Sequence, residues 1–172
     1  SQFYDGTTDI TRTIALGPIT DEMRHDFTYT LKSHINLARA TFLEGKYGAD
    51  LDILARAPLW EVNLDYKCGT GHGIGYVLGV HEGPQGFGAY RNSTLKEGMV
   101  VTIEPGVYKA DKFGIRLEND YVVVPAGEDE LQGDKYFKFD CLTYVPFDRD
   151  AIDASLLSAE ELTWVNEYHA NC

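Results

Sequence analysis

Phe27, Leu31, His34, Ile35 and Ala38 recur at three- and four-residue intervals, the spacing that gathers side chains onto one stripe of an α-helix. Thr20 stands ahead of Asp21 and Glu22 in the place of a cap, after the break at Gly17-Pro18, and the helix is expected to end near Glu44-Gly45. A second helix is predicted from about Asp50 into the Leu59-Trp60 region, where Pro58 should kink or cut it for want of an amide proton. Ser158 and Glu161 have the spacing of a capping box and open a last helix with Leu162 and Val165 on one face.

Shorter periods predict strands. The first 14 residues alternate Thr and Asp with aliphatics and Arg around Asp5-Gly6, as strand, turn and strand; residues 99–103, 115–118, 121–124 and 142–145 read as further strands, and 127–134 as a polar loop. Side chains on a strand alternate between faces, so Asp9, Thr11 and Thr13 should share one side while Ile10 and Ile14 enter the core. By the same parity Arg116 and Glu118 face together, opposite Ile115 and Leu117. Residues 69–88 hold eight glycines, too many for a regular element but suited to backbone that must pass close to a ligand.

A length of 172 residues suits one domain, and 44% hydrophobic residues with moderate charge suit a folded one. The formal net charge of -12 opposes a nucleic-acid or anionic-membrane partner, and no apolar run approaches the roughly 18 residues of a membrane span. Cys68, Cys141 and Cys172 are odd in number, far apart and without a CxxC pair, which suits reduced thiols in a cytoplasmic protein and argues against a thiolate metal site.

The candidate chemistry lies in four segments: YDGTTDITRT with Asp9, GTGHGIG with His72, VTIEPG with Glu104 and FGIRLEND with Glu118. Three carboxylates and an imidazole are a donor set for hard divalent cations, which can make a nucleophile of water. Taken singly, each residue has a plainer reading: a strand-end Glu is usually solvated, a loop His usually lies on the surface, and Arg116 beside Glu118 could be a surface ion pair. An Arg in that place could also hydrogen-bond the spare oxygen of a metal-binding carboxylate and fix its orientation. Asp5 and Thr8 read as turn and strand residues only.

In this order, and with VHEGPQG at residues 80–86, the segments resemble the catalytic domain of aminopeptidase P, one of the pita-bread metallopeptidases. The resemblance implies an α+β pita-bread (creatinase/aminopeptidase) fold in which residues 1–172 form most of a single catalytic domain, incomplete at its N-terminus. Upstream domains and the extreme C-terminus are expected to lie outside the chain. The implied activity is removal of the N-terminal residue from peptides with proline second, by a hydroxide bridging two divalent cations, most readily manganese. In that scheme Asp9 and Glu118 bridge the ions, His72 and Glu104 serve the first ion, and Glu104 also accepts and returns a proton. His81 binds substrate and steadies the intermediate, and Arg116 completes the catalytic set.

The family's first Asp falls eleven positions before the bridging one, ahead of Ser1, and Cys68 stands where relatives often carry His. The isolated chain is therefore expected to bind one ion or none and to be inactive. The expected partners are Xaa-Pro peptides and, for the intact protein, a second copy in a homodimer. Prolidase and methionine aminopeptidase share the ligand pattern, and a non-catalytic pita-bread binding module is a further alternative; VHEGPQG and the spacing from IEPG to RLEN favour aminopeptidase P.

Overall fold

The computed structural model describes residues 1–77, 79–89 and 91–172. Along the chain come β1 (Gln2–Phe3), β2 (Gly6–Thr7), β3 (Thr11–Arg12), α1 (Asp21–Ala38), β4 (Thr41–Leu43), α2 (Gly48–Trp60), β5 (Gly71–His72) and β6 (Gly86–Phe87). There follow β7 (Val100–Ile103), β8 (Gly106–Lys109), β9 (Phe113–Glu128), β10 (Lys135–Cys141), two short 3-10 turns and α3 (Ala159–Ala170).

The 16-residue β9 organises the sheet, because every strand of the six-stranded sheet except β4 pairs with it. Its start pairs with β8 and its middle with β7, both antiparallel, so β7 and β8 act as one run along it with an interruption at Glu104-Pro105. Ile103 stands opposite Asn119 and Gly106 opposite Arg116, which sets the interruption against Leu117 and Glu118. Pro105 has no amide proton to give a ladder, so the break is local chemistry and not an accident of packing.

α1 covers this sheet. Thr20 accepts a hydrogen bond from the Met23 amide and starts the helix, and Phe27, Leu31 and Ile35 pack against Ile115, Leu117, Phe147, Val165 and Tyr168. Leu37 and Ala38 continue into a second cluster with Phe42, Val101, Ile103, Tyr121, Val123, Phe137 and Phe139. Each fully buried aliphatic here is worth roughly 1.5–3 kcal/mol of transfer free energy, which makes this interface the main driving force of the fold. His34 lies within it, fully buried, its Nδ1 donating to the Leu117 carbonyl (3.1 Å) while its Nε2 accepts from the Tyr121 hydroxyl (2.7 Å).

Several elements differ from the sequence reading. α1 stops at Ala38, short of Glu44-Gly45, because residues 41–43 leave it to pair as β4 with β10, burying Phe42 beside Phe137 and Phe139. α2 runs through Pro58, which sits in its last turn; the Leu54 carbonyl that proline cannot serve accepts instead from Asn36 Nδ2 of α1 (2.6 Å). Residues 115–118 and 121–124 belong to one strand, since Asn119 and Asp120 between them are buried in strand conformation. Residues 142–145 form no strand; β10 lies just before them, and β9 extends to Glu128, shortening the expected polar loop. Ile14 is 62% exposed and Leu162 39%, so neither joins the core, whereas Val165 and Tyr168 do. The glycine-rich segment is not wholly irregular either, since β5 and β6 pair within it. There a Cβ on Gly71 would run into the Thr102 carbonyl, which is why the backbone can approach β7 so closely.

Candidate metal centre

Four peptide segments meet beside the interruption in the β7–β8 run. β9 carries Glu118 inward, the end of β7 carries Glu104, β5 supplies His72, and Asp9 precedes β3, whose Thr11 stands opposite Glu118. His72 Nε2 lies 3.0 Å from Glu104 Oε1 and 3.6 Å from Asp9 Oδ2. Donor atoms of His72, Glu104 and Glu118 all fall within 4.8 Å of one another, and so do those of Asp9, His72 and His81. Two overlapping donor groups thus share His72.

Neighbouring side chains hold these donors in place. Thr102 Oγ1 accepts from the His72 amide (3.0 Å) and donates to Glu104 Oε1 (3.0 Å), so one hydroxyl ties two donor residues together. Arg116 grips Glu104 Oε2 through Nη1 (2.5 Å) and donates from Nε to the Tyr108 hydroxyl (2.7 Å). Thr11 donates its hydroxyl to Glu118 Oε2. Asp120, 3% exposed, accepts the Asp9 amide on Oδ2 (3.0 Å). His81 is exposed at the mouth and meets the His72 ring edge-on, with centroids 4.2 Å apart.

The tautomer of His72 follows from its neighbours. Nδ1 faces the Gly73 carbonyl at 3.0 Å and must donate to it, which leaves a lone pair on Nε2. Glu104 Oε1 lies 3.0 Å away as an ion-pair partner, yet among the described residues this buried Nε2 makes no hydrogen bond. Such an atom is costly unless something else meets it.

The charges show how crowded the acids are. Burial pushes the Glu118 carboxyl up to about 7, and the charges of Glu104 and Asp9 push the same way against the Thr11 hydrogen bond. Burial also raises Asp120 to about 6, with Asp9 adding to it. Burial opposes ionisation of Glu104, yet His72, Arg116 and Thr102 outweigh it and hold this carboxyl below its usual range. His72 moves up in return, burial being outweighed by Glu104, the Gly73 carbonyl and Asp9. Crowded carboxylates around an imidazole are a set that a divalent cation would satisfy, and such oxygen-rich donors suit hard ions better than thiophilic ones. These residues fit such an ion.

Asp9, His72, Glu104 and Glu118 therefore converge as the sequence led one to expect, with His81 beside them. Arg116 differs in its partner: it holds Glu104, not the spare oxygen of Glu118, because the gap in the β7–β8 run brings Glu104 within its reach. Sequence reasoning passed over Thr102, Tyr108 and Asp120 and gave Thr11 no task. Strand parity could have found three of them, since Thr11, Thr102 and Asp120 each lie two positions from a donor. A cleft of about 460 Å³ lined by Asp5, Thr8, Tyr76, Gln85, Asp120 and Thr143 adjoins the centre, whereas a larger hollow of about 650 Å³ around Glu44, Thr94 and Tyr136 contains none of these donors.

Comparison with known proteins places this geometry. The chain is 47% identical over 174 aligned residues to aminopeptidase P1 of Lotus japonicus, covering 100% of this chain and 26% of that protein. Among solved structures, the X-prolyl aminopeptidase of Caenorhabditis elegans, described as a cytosolic enzyme with a di-nuclear active site, superposes with a TM-score of 0.92 at 45% identity, over 99% of this chain and 28% of that one. The prolidase from Pyrococcus furiosus gives a TM-score of 0.60 at 33% identity, over 67% of this chain and 34% of that one. The chain spans about a quarter of the length of the curated relatives it matches. The α+β pita-bread fold implied by the sequence is the one it shares with these enzymes. Residues 1–125 match the profile of metallopeptidase family M24 and residues 135–172 that of the C-terminal region of peptidase M24. With nearly all of its length accounted for by one profile and the region that follows it, the chain belongs to metallopeptidase family M24.

Proposed function

We propose that this chain forms most of the catalytic domain of a metal-dependent aminopeptidase that removes the first residue from peptides with proline second. The observation that carries the reading is the convergence of Asp9, His72, Glu104 and Glu118 around an unpartnered His72 Nε2. The similarity to proteins named Xaa-Pro aminopeptidase P supports the substrate class. Asp9, His72, Glu104 and Glu118 hold the cations, for which manganese is proposed on the strength of the carboxylate-rich donor set. Two divalent cations bound there would lower the pKa of water and polarise a carbonyl.

The chain's own groups do the rest. Glu104, kept ionised and oriented by Arg116 and Thr102, accepts a proton from the attacking water and returns it to the departing amine. His81, exposed at the mouth, donates a hydrogen bond to the oxygen of the scissile carbonyl as charge develops on it. Arg116 keeps Glu104 turned toward that space. A cytoplasmic location is proposed as well, on the three free thiols and the cytosolic relative.

Assay of the full-length protein with manganese on Xaa-Pro dipeptides, longer Xaa-Pro peptides and Met-peptides tests this. Release of the first residue from the longer Xaa-Pro peptides, and a loss of about a hundredfold or more in kcat for Glu104→Gln, are expected. Preference for dipeptides would reassign the protein to prolidase chemistry, and no hydrolysis of any of them would overturn the reading.

A further inference from the structure

Arg12 carries a charge that none of its hydrogen-bond partners neutralises. All three of its side-chain nitrogens donate: Nη1 to the carbonyls of Thr11 (2.9 Å) and Glu118 (2.6 Å), Nη2 to Asn119 Oδ1, the Tyr168 hydroxyl (2.7 Å) and the Val145 carbonyl (2.8 Å), and Nε to Val145 again (2.9 Å). Every one of these acceptors is neutral, and among the described residues Arg12 makes no ion pair. Its guanidinium lies over the Phe147 ring at 4.2 Å. Arg12 is half-buried with no anion to meet it, and a flat, five-proton fork is suited to meeting so many neutral acceptors at once.

The acceptor that distinguishes this fork is the main-chain oxygen of Glu118. Thr11, directly before Arg12 and directly opposite Glu118 in the ladder, holds the carboxylate end of the same residue. Glu118 is thus gripped at both ends by consecutive residues of β3, one from the side of the metal centre and one from behind. The fork is itself set by α3: Tyr168 is 4% exposed, lies parallel to Trp164 with centroids 5.4 Å apart, and meets both Arg12 and the Val145 amide with its hydroxyl.

We propose that Arg12 is a positioning residue for Glu118 and that Tyr168, through Arg12, makes helix α3 a determinant of cation affinity although it supplies no donor. This rests on the reading of Glu118 as a metal-holding residue. The test is manganese(II) titration of the full-length protein, with the absorption spectrum of its cobalt(II) form, for wild type, Glu118→Ala, Arg12→Lys and Tyr168→Phe. Tyr168→Phe keeps the ring and its stacking, so it decides the matter should Arg12→Lys not fold. Expected are manganese affinities weakened about tenfold or more in both clamp variants, with an altered cobalt spectrum, which loss of packing alone would leave unchanged. Lower melting temperature with affinity and spectrum as in wild type would overturn the clamp while leaving Glu118 in place. Wild-type behaviour of Glu118→Ala, or no binding by wild type, would remove the Glu118 reading and the clamp with it.

Discussion

At the scale of single residues the centre depends on hydroxyls as much as on acids. Thr102 is fully buried and its oxygen serves the His72 amide and Glu104 together, so valine in its place would keep the shape and strand one amide proton. Thr102→Val is expected to cost about 1–3 kcal/mol in urea unfolding and to weaken manganese binding as well, since two donors lose their common anchor. The same residue marks the limit of what the sequence made legible. Asp9, His72, Glu104 and Glu118 stood out only together, through four motifs whose order resembles a metallopeptidase family. Thr102 and Asp120 lie two strand positions from Glu104 and Glu118, so parity puts them on the donors' face, but nothing in their local sequence says which atoms they hold. Arg116 was expected to hold Glu118 and instead bonds Glu104, as its reach depended on a gap that no local pattern announces.

Elements carry the next level of constraint. Periodicity located α1 and α2 and the capping box located α3, because helices declare themselves within a few turns. It missed β4, β8 and β10 and divided β9, since short strands gain their stability from neighbours remote in sequence, as Phe42 does from Phe137 and Phe139. The approach of β5 to β7 is another such dependence. Gly71→Ala would push a methyl group into the Thr102 carbonyl and displace His72 with it, so a loss of about 1–3 kcal/mol or more is expected together with weakened manganese binding. A stable Gly71→Ala protein with wild-type affinity would show that β5 has room to move. α1 brings its own sensitivity to pH. Burial, aided by the charge of Arg12, pushes His34 down from 6.5 to about 3, so between those values the unfolded chain holds a proton that the folded one refuses. Stability from this residue is complete above pH 6.5 and drains away as pH falls toward 3, by up to about 1.4 kcal/mol per unit. His34→Gln is expected to unfold more readily at neutral pH yet to show a flatter acid limb in urea titrations.

For the molecule as a whole, the formal charge of -12 and the cluster of acids at the centre point one way. A cation that binds only the folded state adds stability by mass action, about 2.7 kcal/mol at a hundred times its Kd. Calorimetry of the full-length protein should therefore show a melting temperature that rises with manganese and returns on chelation, and its Glu118→Ala variant should respond far less. Indifference of the wild type to both would argue that the acids are held by the fold alone. The donors lie at positions 9, 72, 104 and 118, so the centre exists only once β3 and β7, far apart along the chain, have both paired with β9. Pro105 shapes the result. Its imino nitrogen has no proton to give the ladder, while its carbonyl still accepts the Leu117 amide (3.3 Å), so one rung beside Glu104 and Glu118 is only half made. The gap next to the centre thus comes down to a single absent proton.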